Sequence, residues 1–425
     1  MAAAEGLEDG DMSKHARLAI DGGPPVRSGA FPPWPAFDER SIQAAADVLR
    51  SGRVNYWTGH EGRRFEAEFA RRVGCRHAVA VANGTLALET ALSAIGIGPG
   101  DEVIVTARSF VASAGCCAMR GAVPVFADVD PESQNVTSET IRAVLGEKTK
   151  AVIAVHLAGW PCEMDPIIRL AVECGLKVIE DCAQALGATY RGRPVGSLGH
   201  VAAFSFCQDK ILTTGGEGGM VTTNDRSVWE RAWSYKDHGK GFDAVRRPGA
   251  GVFRWVHESF GTNARMTEMQ AALGRAQLGK LDAWLGARRR NAALLSERLG
   301  RLAPLRLPMP PAHIGHAWYK FYAFLRPELL APGWTRDGIV RAIRAEGVPC
   351  GSGTCPEIYL EGAFGQTPLR PARRLPAARR LGETSLIFPI HPTLSPRDVL
   401  DTSRAVEKVL RAASTQRPAE VRRAA

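Results

Sequence analysis

Residues Val178–Gly219 read VIEDCAQALGATYRGRPVGSLGHVAAFSFCQDKILTTGGEGG. The apolar-to-acidic step Val178-Ile179-Glu180-Asp181 ends a buried strand on a carboxylate. A second strand, expected over Val201–Phe206, delivers Ser205 and then Lys210, ahead of a glycine-rich turn. A carboxylate at one strand end and a lysine after the next strand suit a site for pyridoxal 5′-phosphate (PLP). The lysine amine can bond to the cofactor's aldehyde, and the aspartate can pair with the protonated pyridine nitrogen, which keeps the ring an electron sink. The stretch therefore points to a reaction class as well as to a fold.

Outward from it, apolar periodicity alternates. Helices are expected over Phe37–Arg50, with Asp38 placed to cap, and over Glu61–Val73. Strands are expected over His77–Val81, Glu102–Val105, Val123–Ala127, Ala151–Val155 and Leu176–Ile179. Between them fall helices over Gly84–Ile95, Phe110–Met119, Ser138–Leu145 and Met164–Cys174. Such alternation implies right-handed crossovers and a mostly parallel sheet covered on both faces. After Val221 the pattern turns helical, with a long amphipathic segment over Arg265–Leu299 expected to break near Gly286. The proline-rich stretch Leu302–Gly315 marks a boundary. A strand over Trp318–Arg326 and helices over Arg336–Glu346 and Pro396–Ala412 follow. The expected domains are a flexible leader (1–30), a large α/β domain (31–300), a small α/β domain (301–412) and a flexible basic tail (413–425).

Composition agrees with a globular enzyme. Of 425 residues, 45% are hydrophobic and 23% charged, and no apolar run approaches the roughly 20 residues that span a bilayer. The opening residues lack a basic segment feeding an apolar one, so they do not read as a secretory signal. The nine cysteines are odd in number and show no C-x-x-C spacing, which favours neither a disulfide framework nor a zinc site and fits a reducing cytoplasm. A net charge of +10 suits a phosphate-bearing ligand, and no nucleic-acid partner is expected.

The combination E-D-x-A-Q (Glu180 to Gln184), S-F-x-x-x-K (Ser205 to Lys210) and G-E-G-G (Gly216 to Gly219) resembles the sugar aminotransferases of the DegT/DnrJ/EryC1/StrS family. The similarity runs from about Val54 to about Leu394. It implies a fold-type I aminotransferase: a seven-stranded-type, mostly parallel sheet with helices on both faces, plus a smaller C-terminal α/β domain. It also implies PLP as cofactor and a homodimer with shared active sites.

Carried over residue by residue, the resemblance makes Lys210 the cofactor-binding lysine and Asp181 the pyridine partner. Read as a residue alone, Asp181 could instead cap a helix, and Glu180 is its rival. Gln184 falls where the family has Gln or His near the cofactor's phenolic oxygen. Asn83-Gly84-Thr85 matches the family's S/N-G-T at a helix start, where N–H groups and the helix dipole favour a phosphate; a simple N-cap is the plainer reading. Ser205 is a further phosphate donor. Phe110 stands where the family stacks an aromatic ring on the pyridine, with core packing as the alternative. Phe260–Met266 resembles the motif whose asparagine, here Asn263, reaches the phosphate bound by the other subunit; Arg265 beside it could cap or pair locally. Thr58, Gly59, His316 and Tyr319 are substrate-side candidates, with Lys240 and His257 behind them.

The implied reaction moves an amino group from L-glutamate to a keto-sugar, expected to be nucleotide-linked, for a surface polysaccharide or secondary metabolite. Glutamine as donor with a keto-cyclitol acceptor, and an aromatising enzyme of the same family, remain alternatives. Sugar dehydratases of the superfamily carry His in place of the lysine, which Lys210 argues against. A non-catalytic regulator on the same fold is disfavoured by the intact Asp181, Ser205 and Lys210.

Overall fold

The computed structural model describes residues 17–247, 253–365 and 367–415. The first sixteen residues of the expected leader and the last ten of the expected tail lie outside the described residues. Seven strands form the main sheet: β1 (His77–Val81), β2 (Glu102–Thr106), β3 (Val123–Ala127), β4 (Thr149–Val155), β5 (Lys177–Asp181), β6 (Val201–Ser205) and β7 (Gly219–Thr223). Their order is β1-β7-β6-β5-β4-β2-β3. Pairing is parallel from β6 through to β3, while β7 runs antiparallel to both β1 and β6.

This is a fold-type I α/β architecture with one strand reversed. The sequence pattern omits β7, because Gly216–Gly219 reads as a turn and Met220–Thr223 is too short to separate from the helix that follows it. All five of its residues are buried.

Helices cover both faces of the sheet. On one face, the helices Gly84–Ala94, Ala112–Met119 and Arg226–Tyr235 bury Leu88, Cys116 and Trp233 against β2, β4 and β6. On the other, Phe65 and Phe69 of the helix Glu61–Val73 meet Phe204 and Phe206 edge-on or tilted, with the Phe69 and Phe204 rings 4.9 Å apart. Because six strands share one direction, the ends of β1, β2, β4, β5 and β6 gather at one edge of the sheet. That edge is where open α/β sheets place their ligands.

The expected long helix divides at Gly279-Lys280, into Glu268–Leu278 and Leu281–Leu299, rather than near Gly286. Lys280 stands between them at φ -101° and ψ -6°, with its amine 2.5 Å from Asp38 Oδ1 and 2.9 Å from Ser41 Oγ. Gly286 stays helical; a glycine costs about 1 kcal/mol relative to alanine there, which the apolar face of the helix outweighs. The second helix ends at Leu299, just short of the expected domain boundary after residue 300. Its Ala292, Leu295 and Leu299 pack in the small domain's core with Phe321, Ile343 and Val406, so packing divides the chain before residue 300.

The small domain carries three strands, β8 (Leu305–Arg306), β9 (Phe321–Leu325) and β10 (Ser385–Phe388), in the order β8-β9-β10, and the helices Arg336–Ala345 and Pro396–Ala413. The leader is corrected in part. Residues 17–30 are fixed to the small domain: Ala19 and Val26 N–H donate to Glu346 at 2.8 and 3.0 Å, and Arg27 pairs with Asp398 at 2.6 Å. Leu18 is buried in the same core. Among the described residues no helix is long and apolar enough to cross a membrane.

Candidate active site

At the shared strand edge lies a cleft of about 700 Å³, walled by the large domain and by Tyr319, Lys320, Tyr322 and Thr354 of the small one. Of the residues singled out from sequence, Gly84, Thr85, Phe110, Asp181, Gln184, Ser205, Lys210 and Tyr319 all line it.

β5 sorts its two terminal acids by the alternation of a strand. Glu180 points away from the cleft. Its carboxylate takes N–H groups from Gly196, Leu198 and Gly199 at 2.7–2.9 Å and faces His156 Nε2 at 3.0 Å. Burial opposes its ionisation, but His156 and these N–H groups hold it below the usual carboxylate range. Asp181 points into the cleft. It accepts from Ser113 Oγ at 2.8 Å and Ala183 N–H at 3.1 Å, and makes no ion pair among the described residues. Burial pushes its pKa up, against those two donors and the nearby Lys210. A buried carboxylate short of positive charge is therefore aimed at the cavity.

Asn83 leaves β1 in an extended conformation and caps the helix Gly84–Ala94 through Leu86 N–H at 2.9 Å. The first N–H groups of that helix have no intrahelical acceptor and face the cleft, together with the Thr85 hydroxyl. A Cβ added at Gly84 would stand 2.6 Å from Ser205 Cβ, and one at Gly219 would stand 2.3 Å from Asn83 O. The glycines are what let the helix start, β6 and β7 converge. Gln184 lines the cleft and receives Ala158 N–H on Oε1 at 2.8 Å. Phe110 is 63% exposed, which rules out core packing and leaves its face to the cavity.

Lys210 sits in the turn after β6. Its carbonyl accepts the Trp34 indole N–H at 3.0 Å, across 176 residues of chain. Its Nζ lies 3.5 Å from Tyr319 Oη and 3.7 Å from Asp209 Oδ1.

This donor set fits PLP. An uncompensated buried carboxylate suits a pyridinium nitrogen, a glycine-walled helix N-terminus suits a phosphate, and a lysine amine shares the cavity with both.

Four expected site residues stand elsewhere. Thr58 Oγ1 donates to Asn55 O at 3.1 Å, and Gly59 packs against Glu268, whose carboxylate would lie 2.2 Å from any Cβ there. That carboxylate holds the N–H groups of Glu61 and Gly62, so the loop is drawn onto the helix Glu268–Leu278 and away from this chain's cleft. His316 is buried, with its ring 4.0 Å from Trp318, its Nδ1 accepting Trp318 N–H, and its pKa pushed down by burial to about 3. It is a neutral packing residue. Asn263 is exposed on a loop outside the cleft. Nearby, Arg265 and Lys240 both pair with the buried Asp237.

Trp34, Ser113, Asp209 and Lys320 were not singled out from sequence. Asp209 and Lys320 adjoin Lys210 and Tyr319, and that adjacency was the available signal; nothing local marks Trp34 or Ser113.

A profile of the DegT/DnrJ/EryC1/StrS aminotransferase family matches residues 35–407. The chain belongs to this family. The enzyme is accordingly a transaminase that uses PLP. It is 38% identical to a GDP-perosamine synthase of Caulobacter vibrioides over 83% of this chain and 92% of that protein. Among solved structures it is similar to an aminotransferase from Psychrobacter cryohalolentis, at 52% identity and a TM-score of 0.89 over 90% of this chain and 99% of that one. It is also similar to DesI solved in the presence of its TDP-sugar product, at 30% identity and a TM-score of 0.81 over 93% and 96% of the two chains.

Proposed function

We propose that this aminotransferase moves the amino group of L-glutamate to a nucleotide-linked keto-sugar, in the cytoplasm, for an amino-sugar of a surface polysaccharide or secondary metabolite. The carrying observation is one cavity that holds Lys210, the uncompensated Asp181 and the glycine-walled start of the helix Gly84–Ala94. Similarity to a GDP-perosamine synthase and to an enzyme solved with a TDP-sugar supports the acceptor class.

In this reading Lys210 would bind the cofactor aldehyde, and its amine, when free, would take up the proton lost from the substrate carbon. Asp181 holds the ring nitrogen protonated, and Ser113 and Ala183 N–H fix that carboxylate in place. The bound cofactor supplies the electron sink. Thr85, Ser205 and the N–H groups of Gly84 and Thr85 would bind its phosphate. Phe110 would lie against its ring, and the Gln184 amide would donate to its phenolic oxygen. Tyr319 stands on the substrate side. Incubating the purified enzyme with glutamate and a panel of nucleotide keto-sugars should yield 2-oxoglutarate beyond one equivalent of enzyme only when an accepted keto-sugar is present, one 2-oxoglutarate for each aminated sugar; a panel that gives no aminated sugar counts against the acceptor class.

Trp34 adds a positional element. Trp34→Phe discards the hydrogen bond to Lys210 O, a contact worth about 0.5–1.5 kcal/mol that the protein makes before any cofactor binds, so the stability of the cofactor-free protein should fall by about that amount. A denaturant titration reads it, and an unchanged midpoint would mean that the contact carries no weight.

The same reading makes the enzyme a homodimer in which Asn263 serves the neighbouring subunit's phosphate. Support comes from its exposure away from its own cleft and from the aromatic surface beside it: Phe253, Trp255 and Phe260 are each more than three-quarters exposed. Inactive Lys210→Ala and Asn263→Ala proteins, mixed under conditions of demonstrated subunit exchange, should then recover activity toward roughly a quarter of wild type. Half the dimers are mixed, and each of those has one site carrying both lesions and one intact. No recovery would mean that Asn263 acts in its own chain or not at all.

A further inference from the structure

Lys210 Nζ lies 3.5 Å from the oxygen of Tyr319 and 3.7 Å from Asp209 Oδ1. The Tyr319 hydroxyl in turn donates to Asp209 Oδ2, so phenol and carboxylate form one unit with a common face toward the amine. The lysine ammonium also stands 5.0 Å from the centre of the Tyr319 ring. β6 sends Asp209 into the cleft from the large domain, while Tyr319 enters from the segment leading into β9 of the small domain. The pair therefore also ties the two walls of the cavity together.

We propose that Asp209 and Tyr319 form a docking station for the Lys210 amine, which it occupies between proton transfers while it is not bonded to the cofactor. The inference rests on Lys210 being the cofactor-binding lysine. Asp209 and Tyr319 are positioning residues: they act by holding the amine within reach of the cavity between its two proton transfers, rather than by touching the reacting carbon.

Charge and hydrogen bonding agree. Burial opposes ionisation of Asp209, but Lys210, the Tyr319 hydroxyl and Lys320 hold its carboxyl below the ordinary range, so it is anionic at neutral pH. Burial and the adjacent Asp209 push the Tyr319 phenol well above its ordinary value, so it remains a neutral donor with its proton toward Asp209 and its lone pairs toward Lys210. Lys320 Nζ reaches the far oxygen of Asp209 at 3.9 Å, and Arg288 holds the carbonyls of Trp318 and Tyr319 at 3.2 and 3.1 Å. Of the charged neighbours, Asp181 faces the cofactor side of the cavity and Glu217 lies beyond Cys207. Among the described residues, Asp209 is the carboxylate within 4 Å of the amine.

The consequence is a shift in an equilibrium. In the first half-reaction glutamate and one water are consumed; 2-oxoglutarate, the aminated cofactor and a free Lys210 amine are formed. A station that binds only the free amine favours the product side, and its loss favours the lysine-bonded side. In Asp209→Asn the ratio of aminated to lysine-bonded cofactor, at a fixed ratio of glutamate to 2-oxoglutarate, should fall about three- to tenfold, the range for a charged contact that is partly exposed.

The ratio is read by absorbance in the holoenzyme without any sugar substrate. Asp209→Glu should return it toward wild type, and Tyr319→Phe should lower it in the same direction by a smaller factor. A change confined to turnover or thermal stability, with the ratio unmoved, would overturn the inference. Should Asp209→Asn fail to fold, Asp209→Ser is read in the same way. Borohydride reduction of the wild type, followed by peptide mass analysis, separates the two levels of the argument. Cofactor attached to another lysine sinks the assignment of Lys210 itself, whereas attachment at Lys210 with an unmoved ratio in Asp209→Asn sinks only the docking station.

Discussion

Lys210→Ala protein is expected to fold and to retain PLP by its phosphate contacts, but to hold none of it covalently. After borohydride reduction no peptide should carry the cofactor's mass. Turnover should fall by at least roughly 10²–10⁴, the share that a positioned acid–base group contributes. The fold should survive because Lys210 meets its backbone partners, Trp34 Nε1 and Cys207 O, through main-chain atoms that alanine keeps. Normal transamination by Lys210→Ala would sink the central assignment.

Asp181→Asn should lose about 10²–10³ in kcat, the scale on which one preorganised electrostatic partner acts. Glu180→Gln provides the contrast. It disturbs a carboxylate that is tied to three N–H groups and His156 and faces away from the cavity. Its effect should appear as a lower melting temperature, with the folded protein still turning over. If Glu180→Gln is crippling and Asp181→Asn mild, the acids have been assigned the wrong way round.

Asp181→Asn also carries a stability signature. Burial raises the folded-state pKa of Asp181 above its unfolded value. A raised carboxyl favours folding while it is protonated, and that contribution is lost as pH rises through the folded value. At neutral pH the ionised group therefore destabilises the cofactor-free protein. Cofactor-free Asp181→Asn should melt above cofactor-free wild type at pH 7, with the gap closing as pH is lowered. The same substitution thus stabilises the fold while removing its chemistry, an outcome expected of a charge kept for function.

Much of this site was legible because its parts are local. The strand-end acids, the Asn83 cap at the start of a helix and the lysine in the turn after β6 each follow from the period of a strand or from the chemistry of a turn. Neighbouring residues carry that information. The E-D-x-A-Q, S-F-x-x-x-K and G-E-G-G motifs then added the reaction class.

What only the tertiary structure decided has in every case a partner far away in the chain. Which of Glu180 and Asp181 faces the cavity is settled by the donors at Gly196–Gly199 and by Ser113. β7 inserts between β6 and β1, and β1 lies well over a hundred residues earlier. Thr58, Gly59 and His316 read as substrate contacts in sequence, and the structure packs them by Glu268 and the Trp318 ring outside this chain's own cleft. Trp34 meets Lys210 across 176 residues, and Tyr319 meets Asp209 across 110. Periodicity reports which way a side chain leaves its own element. Which side chain from another element it then meets depends on how the elements pack, and no local pattern records that.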